Sequence, residues 1–397
     1  MLPESRIFPN IALYSIYMYF EQLIATSDPF HLALAGTLLL SFLVQLTWYL
    51  VVFTRIPTVK KSTKSEEIVP VSVIICARNE AENLEKNLPS FLTQEHPDYE
   101  VIIVNDCSTD HTEEVLMDLK LKYDHLKVTT INPDRKFTHG KKLAVTIGVK
   151  AASHEQLLFS DADCYPASAK WISSMSKHFT NGKELILGVG KYQRKRGLLN
   201  IIVRYETLFT AMQYISFAMR GNAIMGVGRN MGYKRALFFR HKGFASHLKV
   251  LSGDDDLFVN EAATKTNTAV EIEPDSFTIS TPPQTAWRWF KQKKRHLSTG
   301  KYYKRSSKIR LGTEYLSRLL FYGSLFWLLT YQEWLWMGLT AWGTLSLVKL
   351  VIVKLTMRRL EEKDLLLPSF LLDPLLPLIL AIIRISNLIR PREPKWS

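Results

Sequence analysis

Leu157-Leu158-Phe159-Ser160-Asp161-Ala162-Asp163 is an apolar run that ends on two carboxylates one residue apart. A short buried strand over 156–160 brings both acids to its carboxyl end, and side-chain alternation along a strand turns them to one side. Two convergent carboxylates form a hard oxygen site for Mg2+ or Mn2+, ions that bridge to substrate phosphates. An isolated Asp-x-Asp reads more simply as a solvated acidic turn. The surroundings of this one favour the metal site.

Outward from it, strands and helices alternate. Residues 71–76 are a β-branched run and read as a buried strand, and 79–93 place Leu84, Leu88 and Leu92 on one helical face. A second strand is expected at 99–104, a helix at 109–123, a third strand at 128–131 and a helix at 141–152. This β-α-β-α-β order predicts an α/β domain with a mainly parallel sheet and helices on both faces. Such sheets bind ligands at the carboxyl ends of their strands. Ala77-Arg78-Asn79, Asn105-Asp106-Cys107 and Asp161-Ala162-Asp163 all fall there. Past 165 the regularity weakens. A helix is expected at 171–179, strand material at 185–189 and 190–193, and a long amphipathic helix at 201–219. A glycine-rich connection follows at 226–233, then a helix within 252–262 that opens on Gly253-Asp254-Asp255-Asp256.

The chain has 397 residues, 47% of them hydrophobic. That is enough for one sizeable domain plus further elements. Residues 31–53 contain no Asp, Glu, Lys or Arg and can cross a bilayer core of about 30 Å. They lie too far along the chain for a cleaved signal peptide. Residues 316–331 and 334–353 predict a membrane hairpin. Residues 365–383, interrupted by Pro368, Pro374 and Pro377 and carrying Asp373, read as a further span, with re-entrant and interfacial placements open. For 7–26, an interfacial helix and a span are equally good readings.

The formal net charge is +14, and its placement is informative. Arg55, Lys60, Lys61 and Lys64 follow the first span, nine Lys or Arg lie within 291–310, and Lys354, Arg358 and Arg359 follow the hairpin. The positive-inside rule turns all three clusters, and the region 54–314, to the cytoplasm. Charge clustered at membrane flanks suits anionic lipid headgroups, and no nucleic-acid partner is expected. Cys76, Cys107 and Cys164 offer neither a disulfide framework nor a metal pattern. The expected layout is an interfacial or transmembrane segment at 1–54, a linker at 55–69 (most polar at 62–67) and a catalytic domain at 70–297. A basic juxtamembrane segment at 298–315, a transmembrane region at 316–390 and a tail at 391–397 complete it.

Val71-Ser72-Val73-Ile74-Ile75-Cys76-Ala77-Arg78-Asn79-Glu80 and Val101-Ile102-Ile103-Val104-Asn105-Asp106-Cys107-Ser108-Thr109-Asp110, with the Asp-Ala-Asp, resemble family 2 glycosyltransferases of GT-A fold. The membrane-anchored members, such as the cellulose, hyaluronan and poly-N-acetylglucosamine synthases and the ceramide glucosyltransferases, are the most similar. The resemblance covers about 70–297. It implies that Ala77, Arg78, Glu80 and Asp106 hold the nucleoside, although Asp106 also suits an Asx turn, and Asp110 reads as a helix cap. Lys141, in His139-Gly140-Lys141-Lys142, is the candidate beside the donor. A cation at a helix N-terminus needs a nearby phosphate or acid to explain it. Asp163 is the stronger metal ligand by resemblance, with Asp161 on the metal or the ribose.

Gly253-Asp254-Asp255-Asp256-Leu257 resembles the family's acid pair, which supplies the general base. Leu257 as the apolar position favours Asp254; the second member of a pair favours Asp255, which is the choice made here, and Asp256 stays in the cluster. Crowded like charges raise at least one pKa, as a proton acceptor requires. Gln292-Lys293-Lys294-Arg295-His296 resembles the Gln-x-x-Arg-Trp element, with Arg295 on the diphosphate and Gln292 toward the acceptor. His296 replaces its Trp, which argues against a long polysaccharide channel. Trp287 and Trp289 are alternative aromatic surfaces or interface anchors. Gly226-Val227-Gly228-Arg229-Asn230-Met231 resembles an element near the acceptor and adds Arg229 and Asn230.

The resemblance therefore implies an inverting glycosyltransferase that uses Mg2+ or Mn2+ and a nucleoside-diphosphate sugar, a uridine one by expectation. The acceptor is a glycan or a lipid-linked sugar. The expected location is a bacterial inner (plasma) membrane, with the lipid bilayer and partner membrane proteins as contacts. A processive, exporting synthase and a non-catalytic nucleotide-sugar-binding protein are the alternatives.

Overall fold

The structure is a computed structural model that describes residues 28–60, 68–132, 140–250 and 252–389, with Tyr14, Met18 and Glu21. Apart from those three residues, the segment 7–26 lies outside the described residues, as do Lys61, Lys64, the polar stretch 62–67, His139 and the tail 391–397. The chain divides into two compact units, one built from 1–50 and 312–349, the other from 51–311 and 350–397.

Among the described residues, the larger unit has ten strands: β1 (Val71–Ala77), β2 (Tyr99–Asp106), β3 (Leu126–Ile131), β4 (Gln156–Asp161), β5 (Cys164–Pro166), β6 (Leu185–Leu187), β7 (Gly190–Tyr192), β8 (Met231–Lys234), β9 (Thr268–Val270) and β10 (Thr278–Ser280). Seven form one sheet in the order β3-β2-β1-β4-β8-β6-β9, and β5-β10-β7 form a second. β1 runs parallel to both β2 and β4, and β2 is parallel to β3. β8 is antiparallel to β4 and to β6. Every residue of β1 is buried, as a parallel strand covered on both faces requires. The fold is the expected α/β domain with a mainly parallel sheet.

Gly148 shows how the sheet positions one functional side chain. A Cβ there would lie 2.6 Å from Ile74 Cγ2 and 3.1 Å from Val104 Cγ2. The helix Lys141–Ala151 therefore seats close on β1 and β2, and its first residue stands near the carboxyl ends of those strands. A second packing layer is aromatic. Phe159 stacks on Tyr233 at 4.3 Å, and Tyr233 meets Phe258 at 4.8 Å. These rings fix the helix Asp256–Ala262 against β4 and β8.

Three details depart from the sequence reading. The glycine-rich connection at 226–233 ends in a strand, β8, inserted next to β4. The two pieces of strand material at 185–189 and 190–193, adjacent in sequence, fall in different sheets as β6 and β7. β5, β9 and β10 are each three residues long, too short to carry a period-2 signal.

In the smaller unit, Asp28 caps the helix Pro29–Thr47, its Oδ1 accepting the Phe30 N–H at 2.7 Å. The Gln45 amide donates to the Glu314 carbonyl at 3.0 Å and to the Ser317 hydroxyl at 2.9 Å. Leu38, Phe321, Leu328 and Trp334 form its apolar core. Among the described residues, the stretches Pro29–Thr58, Gln332–Arg359 and Leu366–Ile389 are long and apolar enough to cross a membrane. The expected hairpin arm at 316–331 falls mostly in the helix Arg305–Leu328, which is not one of the three. Arg305, Lys308, Arg310, Glu314 and Arg318 lower its apolar content.

Candidate active site

The turns after β1 and β2 brace each other. Asn79 and Cys107 both adopt positive φ, near 55°, and each lets the chain leave its strand sharply. The Asn79 N–H donates to Ser108 Oγ at 2.9 Å, and the Thr109 N–H donates to Asn79 Oδ1 at 2.7 Å. Asp110 accepts from the Ala81 N–H through Oδ2 and from the Thr112 N–H through Oδ1. It therefore serves the first turns of two helices, not one. Of the four residues expected at the nucleoside, Arg78 and Glu80 are partly exposed, whereas Ala77 is buried at the end of β1. Asp106 is buried at the end of β2, and its Oδ1 faces the Cys107 thiol at 3.4 Å.

Asp161 is the last residue of β4, and Asp163 lies in the turn that leads to β5. The turn, rather than strand alternation, brings the two acids together. Asp161, Asp163 and Cys164 have ligand atoms within 4.8 Å of one another. Cys164 is fully buried, and burial with the adjacent acids holds its thiol well above the ordinary range. A neutral thiol is a poor ligand for a hard cation, so the donor set is two carboxylates. That set fits Mg2+ or Mn2+ completed by substrate phosphates. Burial and the Asp161 charge raise the Asp163 carboxyl, whereas Lys141 lowers Asp161 despite its burial.

Lys141 joins the two acidic groups. Its Nζ donates to Asp161 Oδ1 at 2.6 Å and lies 3.3 Å from Asp254 Oδ2. Burial opposes its charge, yet Asp161, Asp254 and Asp255 hold the ammonium well above its ordinary value. These acids explain a lysine at a helix N-terminus. A small pocket borders Lys141, Asp161, Asp254, Asp255 and Gly228.

The three consecutive acids have different surroundings. Asp256 is buried, and its Oδ2 accepts from Thr299 Oγ1 and from the Tyr303 hydroxyl, the latter at 2.7 Å. Its Oδ1 accepts the Leu257 N–H at 2.7 Å. Asp256 thus ties its helix to the segment 299–303, which corrects the expectation of a catalytic acid there to a structural role. Asp255 Oδ2 accepts the Gly228 N–H at 2.7 Å, and Oδ1 accepts the Asp256 N–H at 2.8 Å. Burial, with Asp254 and Asp256 beside it, pushes the Asp255 carboxyl up to about 7. Asp254 faces Lys141. The preceding Gly253 has φ of +94°, a conformation glycine adopts without strain.

Asn230 is a further correction. It is fully buried: Nδ2 donates to the Val189 and Ser276 carbonyls, and Oδ1 accepts from Trp171 Nε1 at 3.1 Å. With its amide saturated by protein, it supports the loop instead of touching substrate. Arg229 stacks over the Tyr192 ring at 4.5 Å and donates to the Gly190 carbonyl at 3.0 Å. Tyr192 also exchanges a hydrogen bond with Gln292 at 3.1 Å. Arg229 and Arg295 both lie close enough to Asp161 to favour its charged form. Trp289 packs inside against Tyr192 and Val203, whereas Trp287 is exposed and stacks on Phe290 at 5.5 Å. Tyr192, Thr299 and Tyr303 are functional neighbours that the sequence does not reveal. Nothing in their local pattern marks them, because each acts on a residue far away in the chain.

Residues 72–240 match the family described as "Glycosyl transferase family 2". The chain is 34% identical over 101 residues to a poly-beta-1,6-N-acetyl-D-glucosamine synthase of Staphylococcus epidermidis, a match covering 25% of this chain and 23% of that protein. It is 32% identical over 146 residues to glycosyltransferase AglE of Haloferax volcanii, covering 36% and 46%. The chain spans under half the length of either curated relative it matches. Among solved structures, the mannosyltransferase PcManGT of Pyrobaculum calidifontis, in complex with GDP-Man and Mn2+, is similar at a TM-score of 0.59 and 17% identity, over 90% of this chain and 98% of that one. That likeness establishes the GT-A fold.

Proposed function

From a chain that carries a glycosyl transferase family 2 domain over residues 72–240, we propose an inverting glycosyltransferase that works at the cytoplasmic face of a membrane. The donor is a nucleoside-diphosphate sugar, a uridine one in the first instance. The acceptor is a hydroxyl of a glycan or a lipid-linked sugar. The observation that carries the reading is the Lys141 ammonium between Asp161 and Asp254. It puts a leaving-group site and a proton acceptor on one cavity.

Asp163 and Asp161 would hold a divalent ion, which supplies Lewis-acid neutralisation of the departing diphosphate. Arg78 and Glu80 border the nucleoside end. Lys141, Arg229 and Arg295 provide fixed positive charge near Asp161, aimed where negative charge develops on the leaving oxygen. Gln292, held by Tyr192, orients the acceptor. The acceptor hydroxyl gives its proton to a carboxylate as its oxygen attacks the anomeric carbon opposite the diphosphate. One displacement inverts that centre.

We assign the base to Asp254. Structural duties account for the other two acids: Asp255 spends an oxygen on each of two main-chain N–H groups, and Asp256 ties Thr299 and Tyr303. Asp254 has no such duty and lies beside Lys141. Asp255, the choice made on the sequence alone, is the competitor.

Membranes holding the full chain, offered a panel of UDP- and GDP-sugars, should release nucleoside diphosphate from one donor only with Mn2+ or Mg2+ present. GDP sugars belong in the panel because the mannosyltransferase PcManGT was solved with GDP-Man. Binding without release would indicate a non-catalytic nucleotide-sugar protein, and sized products would separate single transfer from processive synthesis. No release from any donor, with or without metal, rejects the proposal.

A further inference from the structure

The helix Leu366–Ile389 meets the length and composition of a membrane span, yet it packs lengthwise on the larger unit. Near its start, Asp373 Oδ1 accepts from the Tyr205 hydroxyl at 3.4 Å. At its middle, Ile379 packs on Tyr192, Val203 and Trp289. Near its end, Lys294 Nζ donates to the Ser386 carbonyl at 3.0 Å, and Asn387 Nδ2 donates to the Lys294 carbonyl at 2.8 Å. At 1.5 Å per residue these contacts run along about 21 Å of helix. Much of the helix they rest on is Ala286–Thr299, which carries Arg288, Lys291, Lys293, Lys294 and Arg295. If Leu366–Ile389 crossed the bilayer, those cations would enter the hydrocarbon with it, and lipid excludes them.

The opposite face is not covered by protein. Leu367, Leu371, Leu375, Leu378, Ile382 and Ile385 are each at least 48% exposed. Their spacing of three and four residues makes one continuous stripe along the helix. A helix apolar on both faces, with one face on a basic protein surface, suits the boundary between headgroups and acyl chains.

We propose that Leu366–Ile389 lies in the plane of the membrane interface, its exposed stripe seated in the acyl–headgroup boundary of one lipid leaflet. Two observations select lipid as the occupant. The helix begins seven residues after Arg359, the end of the apolar stretch Gln332–Arg359, so its start is tethered at a membrane surface. Cationic side chains flank it: the exposed Lys354 and Arg358 precede it, and the exposed Arg384 lies near its end. These complement anionic headgroups. Seated there, the membrane bears through Ile379 on Tyr192 and Trp289, and hence on the helix that carries Gln292 and Arg295. The placement holds whatever chemistry the domain performs.

The test uses the full chain in nanodiscs of phosphatidylcholine and phosphatidylglycerol. Nitroxides go on Leu367→Cys, Leu371→Cys, Leu378→Cys and Ile385→Cys, one at a time, and the unsubstituted chain sets the background of the native cysteines. Collision with oxygen against a water-soluble nickel chelate reads depth. The expected result is four similar depths, about 5–10 Å below the headgroups. Depths that increase and then decrease along a path of about 30 Å would mean a span and overturn the proposal. Free access to nickel at all four sites, or shielding from both reagents as under a protein partner, would overturn it equally.

Discussion

The Lys141 ammonium donates to Asp161 Oδ1 across 2.6 Å. The same nitrogen lies 3.3 Å from Asp254, so one side chain neutralises acids on both sides of the cavity. Lys141→Met removes a charge-assisted hydrogen bond, an interaction of about 1.5–3 kcal/mol, equivalent to roughly 10–100-fold in rate. The expected outcome is a loss of that size in kcat/KM for the donor. The Mn2+ concentration for half-saturation should fall as well, because Asp161 no longer shares its charge with a lysine. Nucleoside diphosphate release measured against Mn2+ concentration reads both. A higher Mn2+ requirement in the variant would show that Lys141 does not compete for Asp161.

Asp163 has no lysine partner of this kind; its Oδ1 faces the Cys164 thiol at 3.3 Å. Asp163→Asn should therefore remove metal binding more completely than Asp161→Asn. The loss for Asp163→Asn should exceed about 100-fold, since even changes one shell further out cost 10–100-fold. Titration of the full chain with Mn2+, followed by the paramagnetic signal of the free ion, measures this without turnover. Equal affinity in the Asp163→Asn variant and the unsubstituted chain would remove the ion from this site.

Much of this arrangement is legible in the sequence, for a physical reason. β1, β2 and β4 are continuous apolar runs because both faces of a parallel strand are covered, and the turns after them hold the polar residues that alternation cannot hide. Asp161, Asp163 and Lys141 are visible because each stands where a strand ends or a helix begins. Asn230 misleads because a polar residue in such a turn can point inward as easily as outward. Burial decides between the two, and Asn230 is claimed by Trp171, Val189 and Ser276 from three other segments. The three acids at 254–256 could not be ordered for the same reason. Gly228, Thr299 and Tyr303, which separate them, are distant in sequence.

If Asn230 is structural, its loss should be felt as stability. Asn230→Ala takes the partner from the Trp171 Nε1 donor and from the Ser276 carbonyl, whereas the Val189 carbonyl keeps the Thr278 N–H at 3.3 Å. Each buried unsatisfied group costs about 1–3 kcal/mol, so a loss of about 2 kcal/mol or more is expected. A lowered unfolding midpoint in detergent, with donor affinity per folded molecule unchanged, is the outcome anticipated. Unaltered stability with weakened acceptor use would return Asn230 to the substrate site.

Asp254 and Asp255 are separable by pH. The Asp255 carboxyl is raised to about 7, above its unfolded value of about 3.9. Between those limits the native chain holds a proton that the unfolded chain has lost, so stability falls as pH rises through the window. Asp255→Asn should flatten that fall. Activity should move the other way. Ionising Asp255 places a negative charge beside Asp254 and strengthens it as a base, so transfer should climb through pH 7. In Asp255→Asn the climb near pH 7 should vanish while measurable transfer remains. In Asp254→Asn transfer should drop about 10²- to 10⁴-fold at every pH, the usual contribution of a positioned base. Donor binding should persist in both variants. If Asp255→Asn abolishes transfer and Asp254→Asn retains it, the proton goes to Asp255, and the two main-chain N–H groups from Gly228 and Asp256 become the means of aiming that base.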